Sequence, residues 1–201
     1  MNKKEIAQKV IENRGGIAKN ADFAAEGIKN YEVAALCKDG FIERIRRGFY
    51  RLPQNDKVTE EQLIRELLPQ GIVCVESALF HYGYSDFSPR EWSIAMPRTA
   101  SRAVKKIEEF PIKAYYIQKD FLPIGKFKDT FNGVMLTVYD RERTICDCFK
   151  YRTKLDSETF NKAVNAYAAD EKKNLANLSK YAKKMKLYTK VMNVMEVLLN
   201  G

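Results

Sequence analysis

Apolar residues recur at helical spacing through the first forty positions and the last sixty; between these stretches they bunch into short strand-like runs. Ile6, Val10 and Ile11, with Ala7 between, predict an amphipathic helix from Lys3 to about Asn13, stopped by Gly15-Gly16. A shorter helix is expected from Ala21 to Glu26 around an inward Phe23, capped by Asn20 and ended by Gly27. Ile28 then plugs the core and Asn30 caps a third helix, Tyr31 to Asp39, with Val33, Leu36 and Cys37 on one face. Phe41 to Ile45 alternates like a strand, Arg46-Arg47-Gly48 reads as a turn, and Phe49 to Leu52 returns before Pro53.

Two short helices joined by a glycine turn, with apolar positions at Phe23, Ile28, Val33 and Leu36 around Gly27, make a helix-turn-helix pattern. One position departs: Phe23 stands where bacterial regulators commonly carry alanine. A hairpin directly after the recognition helix reads as a wing, and this one carries Arg44, Arg46, Arg47 and Arg51. Past a polar linker at 53–57, a helix is expected over Thr59 to Leu68 and a short apolar one over Glu76 to Gly83. Strands follow at Trp92 to Met96, Ile112 to Ile117 and Val134 to Val138, the last introduced by an Asn132-Gly133 turn; Pro97-Arg98 opens a charged stretch containing Arg102, Lys105 and Lys106. From Arg141 the pattern is helical to the end, with Ile145, Cys146, Phe149, Phe160, Val164, Tyr167, Leu175, Leu178, Tyr181, Val191, Val194, Met195 and Leu198 facing inward. The fold class expected is α+β. An N-terminal winged helix-turn-helix domain over residues 1–53 precedes a mixed α/β C-terminal domain over 58–201 with a small sheet and a helical tail.

Charge changes this picture. The 201 residues carry a formal charge of +9, but unevenly: 11 basic and 7 acidic groups in residues 1–52, 13 and 14 in 53–149, and 11 and 5 in 150–201. Basic ends around a balanced middle suit a chain that meets a polyanion at both ends. No apolar run approaches the roughly 20 residues of a membrane span, and the N-terminus lacks the apolar region of a secretory signal, so a cytoplasmic location is expected. Cys37, Cys74, Cys146 and Cys148 lack the paired spacing of zinc ligands and are read as reduced thiols.

No nucleophile elbow, Walker loop or G-x-G-x-x-G occurs, so neither a catalytic residue, a metal nor a cofactor is expected. His81 near Glu76 and Ser77, and the acids Asp140, Glu142 and Asp147, are the sites a catalytic reading would use. One alternative is thus a metal-dependent nuclease built on the middle acids; another is a winged helix that docks a protein, its arginines merely solvated.

On the leading reading the DNA-binding group is Lys19, Lys29, Asn30, Tyr31, Lys38, Arg44, Arg46, Arg47 and Arg51, with guanidinium groups against phosphates and the start of the third helix in the major groove. Lys172, Lys173, Lys180, Lys183, Lys184, Lys186 and Lys190 fall on tail helices whose opposite faces are apolar. They form either a solvated face or a surface for a polyanion, whether flanking operator DNA or RNA.

The stretch G-I-x-N-Y-E-V-A-A-L-C-K-D-G-F-I-E-R-I-R-R-G-F-Y-R-L, followed by V-E-S-A-L-F-H-Y-G, W-S-I-A-M-P-R and V-Y-D-R-E-R-T-I-C-D-C-F, resembles the AbiEi abortive-infection antitoxin family across nearly the whole chain. The specific parts are residues 36–50, Ser77-Ala78 with Gly83, Pro97-Arg98, and Arg143-Thr144 with Asp147. The resemblance implies the antitoxin of a type IV toxin–antitoxin pair. Such a protein binds inverted repeats in double-stranded DNA of its own operon promoter through the winged helix. It acts as an autoregulating repressor. It also counters a nucleotidyltransferase toxin through the C-terminal domain, without a stable complex, in phage resistance.

Overall fold

The computed structural model describes residues 2–53, 58–100, 107 and 109–200, and the chain divides into two compact units: Met1–Pro69 with Lys106–Glu109, and Gln70–Lys105 with Phe110–Gly201. The predicted linker centre at 54–57 and the charged stretch holding Arg102, Lys105 and Lys106 lie outside the described residues. The compact division falls after Pro69 instead of at the linker after Pro53, because helix α4 (Glu60–Leu67) is tied to the N-terminal elements. Lys19 Nζ meets Glu66 Oε2 at 2.9 Å, and Gln62 stands beside Gly15.

In the first unit α1 (Lys3–Asn13), α2 (Asn20–Ala25) and α3 (Asn30–Lys38) pack against a small sheet of order β1-β3-β2, formed by Ala18–Lys19, Phe49–Arg51 and Glu43–Arg46. Ala7, Val10, Ile11, Phe23, Ile28, Val33, Leu36, Ile42 and Tyr50 form the core. The bulky Phe23 is fully buried with its ring edge-on to Tyr50 at 5.7 Å, so the departure from alanine fills space between the helix pair and the wing.

Both helix-start expectations shift by one residue. Asn20 and Asn30 are the first helical residues, and the caps are Lys19 and Lys29, whose backbone N–H groups donate to Asp22 at 2.8 Å and Glu32 at 2.9 Å. An acid at the third helical position substitutes for the capping amide and also complements the helix dipole. In the wing, Phe41 and Ile42 bend while the strand begins at Glu43. β1 is too short to show a period in the sequence.

The second unit is built on a five-stranded sheet of order β6-β5-β4-β8-β7, from Ile112–Ile117, Trp92–Pro97, Ile72–Val73, Val134–Tyr139 and Lys126–Phe131. The β5–β6 and β4–β8 pairs are parallel, the others antiparallel. The pattern missed β7 because this edge strand, Lys-Phe-Lys-Asp-Thr-Phe, buries only Phe131 and has no apolar alternation. The usable signal was its turn: Asn132 and Gly133 have φ of +46° and +81° and close a two-residue hairpin, so a strand before Asn132 was implied.

Helix α5 (Val75–His81) lies against β5 and against α6 (Arg141–Lys150), and the tail helices α7 (Ser157–Ala169), α8 (Leu175–Lys184) and α9 (Tyr188–Asn200) pack around α6. Seven successive residues of α6, Glu142 to Cys148, are buried although four are charged or hydroxylic. Leu175, expected inward, is exposed in the first turn of α8, while Leu178 and Ala182 carry that helix's contact.

Gly125 has φ +69°, and a Cβ there would stand 2.4 Å from Arg143 Cβ and 2.8 Å from Asp140 Oδ1. Gly125→Ala is therefore expected to lower stability by about 2 kcal/mol through overpacking and left-handed strain. Urea unfolding checks this, and an unchanged midpoint would show that the loop moves away freely.

Candidate nucleic-acid interface

Every fourth residue of α3 reaches solvent on one side. Asn30, Tyr31, Ala34, Ala35 and Lys38 are exposed while Val33 and Leu36 are buried, and Tyr31 is 67% exposed. This stripe has a shape suited to a groove: two alanines in the middle let the backbone approach closely, with polar groups at both ends. Ala34 and Ala35 escaped the sequence reading because nothing in a lone alanine marks it as surface.

Glu32, the acid next to this stripe, is withdrawn from it. Its side chain is buried, accepting from Lys3 Nζ and from the backbone N–H of Lys29. Lys29 is exposed beside Asn30 and has no ion pair among the described residues.

The wing sorts its cations by geometry. A bulge in β2 between Arg44 and Arg46 sets two residues opposite one on β3, and Gly48 turns the chain at φ +83°. Arg44 and Arg47 are exposed and carry no ion pair among the described residues. Arg44 is close enough to lower the Cys37 thiol's pKa, against the larger upward push of burial, which places the guanidinium beside α3.

Arg46 is held instead. Its guanidinium lies 4.4 Å from the Phe49 ring centre, Lys19 Nζ stands 5.4 Å from the same ring, and burial lowers the Arg46 pKa. Lys19, Phe49 and Arg46 are register neighbours across β1, β3 and β2, so this cation–π row braces the sheet. Lys19 also pairs with Glu66, and Arg51 pairs with Glu43. Of the nine residues expected to bind DNA, Lys29, Asn30, Tyr31, Lys38, Arg44 and Arg47 are exposed with no ion pair among the described residues, whereas Lys19, also exposed, and the half-buried Arg46 and Arg51 are held by partners within the unit.

The candidates for catalysis do not come together. His81 Nε2 lies 2.9 Å from Asp129 Oδ2 and its ring stacks on Phe131 at 3.9 Å, whereas Ser77 Oγ accepts from the Ser93 N–H at 2.9 Å. Burial pushes the Glu76 carboxyl up, but hydrogen bonds from Lys113, Ser93 and Tyr115 outweigh it and hold the group below its ordinary range. Asp140 caps α6 by accepting from Arg143 N at 2.8 Å and also accepts from Tyr181 OH at 3.0 Å. Glu142 accepts from Tyr167 OH and Asn174 N, and Asp147 from Arg143 Nε. Among the described residues no three His, Cys, Asp or Glu side chains gather as a metal site. The four cysteines are unpaired with one another, and burial pushes the Cys146 thiol up to about 12.

The tail lysines separate into different settings. Lys172 and Lys173 belong to the turn before α8, where the Lys172 backbone N–H and Lys173 Nζ donate to Asp170. Lys183 lies over the Tyr188 ring at 4.9 Å, and Lys190 is exposed on α9. Lys180 and Lys184 line one cleft, and Lys186 another.

Comparison with known proteins places these observations. Over 96% of its length the chain superposes on 75% of the Rv2827c protein from Mycobacterium tuberculosis, with a TM-score of 0.66 at 14% identity, a likeness of fold. No match is found among curated protein sequences. No helix among the described residues is long and apolar enough to cross a membrane. Residues 5–53, the segment carrying α1 to α3 and the wing, match the family model described as transcriptional regulator, AbiEi antitoxin.

Proposed function

We propose that this chain is the DNA-binding repressor and antitoxin of a type IV toxin–antitoxin pair, acting in the cytoplasm on inverted repeats in its own promoter. The observation that carries the reading is the exposed stripe Asn30, Tyr31, Ala34, Ala35, Lys38 with Lys29, Arg44 and Arg47 exposed around it and unpaired among the described residues. The helix stripe suits base edges in a major groove, and the wing arginines suit phosphates or a narrow minor groove. The match of residues 5–53 to a transcriptional-regulator family model supports the DNA role. The second unit, on this reading, counters a nucleotidyltransferase toxin without forming a stable complex with it.

Footprinting the full chain on DNA upstream of its own gene tests the operator reading. Protection of two inverted half-sites, lost on a scrambled sequence at the same salt, is expected; equal binding to both sequences would defeat it. Co-expression with the adjacent gene, expected to encode the toxin, should restore growth.

A further inference from the structure

Two clefts of the second unit share Phe121 as a lining residue. One, about 490 Å³, is lined by Lys180 and Lys184 of α8; the other, about 430 Å³, by Arg98, Tyr116, Lys150 and Lys186. Each is an open cleft whose volume falls in the range of small-ligand pockets. The two clefts together present five cations against one acid, Asp120, and none of the five has an ion pair among the described residues.

Lys186 adds an independent observation. It sits just past the end of α8 with φ +59°, in a turn where its N–H donates to Lys183 O and the Leu187 N–H to Ala182 O at 2.8 Å. This is the position where helices ordinarily place glycine, since a side chain in the left-handed region is strained. A lysine held there at a cost to stability, and lining a cleft, is a feature that folding alone does not ask for. Burial also lowers the pKa of Lys150, a cation that an anion in the cleft would stabilise.

We propose that these paired clefts bind single-stranded nucleic acid, successive nucleotides occupying the two sides of Phe121. Backbone phosphates meet Lys184, Lys186, Lys150 and Arg98, and one base lies on the ring of Tyr116, which is 38% exposed and has no ring partner among the described residues. A cationic groove with an aromatic platform is the usual means of holding an unpaired strand. A duplex keeps its bases stacked inside and cannot offer one to a recess of this size. The clefts are built from the second unit alone and the wing from the first, so variants in each test the two readings separately and their failures are distinguishable.

Fluorescence anisotropy of the full chain with a labelled ten-nucleotide oligo-U, its duplex counterpart and the operator duplex provides the test. Binding to the single strand should be tighter than to the non-operator duplex. Lys150→Gln with Lys184→Gln should weaken it about tenfold or more and cut its salt slope by about 1.4, since each phosphate contact contributes about 0.7 on single strands. Tyr116→Ala should weaken it about tenfold. Lys186→Gly should raise the thermal midpoint by about 2 °C while lowering single-strand affinity, a split that damage to the fold cannot produce.

Single-strand binding that is absent, or indifferent to all three changes, would overturn the proposal. A parallel loss of operator binding would overturn it too, assigning the clefts to the operator surface. Full competition by free UTP at equal concentration would show a small-ligand site instead.

Discussion

Replacing Arg143 by methionine is expected to lower the unfolding free energy by about 3–5 kcal/mol, the usual cost of removing one partner from a buried ion pair. Arg143 and Asp147 are both fully buried on successive turns of α6, with Nε 3.1 Å from each carboxylate oxygen. Nη1 donates to Phe121 O at 2.6 Å and Ile124 O at 2.9 Å, and the guanidinium lies 4.0 Å from the Tyr139 ring centre. Methionine fills much of the volume but leaves a carboxylate and two carbonyls without their donor. Burial already pushes the Asp147 pKa up against the opposing pull of Arg143, so losing Arg143 would drive the carboxyl toward its neutral form.

The partner experiment separates charge from packing. Arg143→Met with Asp147→Leu should recover much of the loss, because the uncompensated charge disappears with the second change. Thermal and urea unfolding of the four proteins in the cycle give the coupling directly. A loss below about 1 kcal/mol in the single variant would mean that water reaches the site and screens the pair. The consequence reaches function, since the carbonyls that Arg143 holds belong to the loop carrying Phe121, the wall shared by the two basic clefts.

The second large effect is expected in the wing. Arg44→Ala with Arg47→Ala should weaken operator binding by about thirtyfold at physiological salt, and the slope of log K against log salt should fall by about 1.8, from about 0.9 for each phosphate contact on duplex DNA. Arg46→Ala should behave differently. Its guanidinium is stacked on Phe49, so the change should loosen the hairpin and shift the unfolding midpoint more than the salt slope. Asn30→Ala should leave the slope unchanged and relax the preference for one base pair, as expected of a group that reads a base edge. Mobility shifts across a salt series, on operator and scrambled DNA, distinguish the three patterns. If Arg44→Ala with Arg47→Ala binds as the parent does, the wing has no part in recognition.

Much of this molecule was legible in local pattern. The three N-terminal helices, the hairpin and its arginines, the Asn132-Gly133 turn and the helices from Arg141 onward each follow from side chains within a few positions of one another. Local spacing therefore sufficed to expect an α+β chain headed by a winged helix.

What local pattern could not reach was partnership across distance. Which arginines face outward depends on a bulge in β2 and on Phe49 across the strand, and α4 sides with the first unit through Lys19, 47 positions before Glu66. The clefts draw Arg98, Tyr116, Phe121, Lys150 and Lys186 from β5 to the end of α8, and no run of sequence shows them as neighbours. The sequence by itself determined the elements and the sign of the charge at each end, because periodicity and residue type act locally. Only the tertiary structure decided which charges are free and which are neutralised, because that depends on burial and on partners that packing supplies.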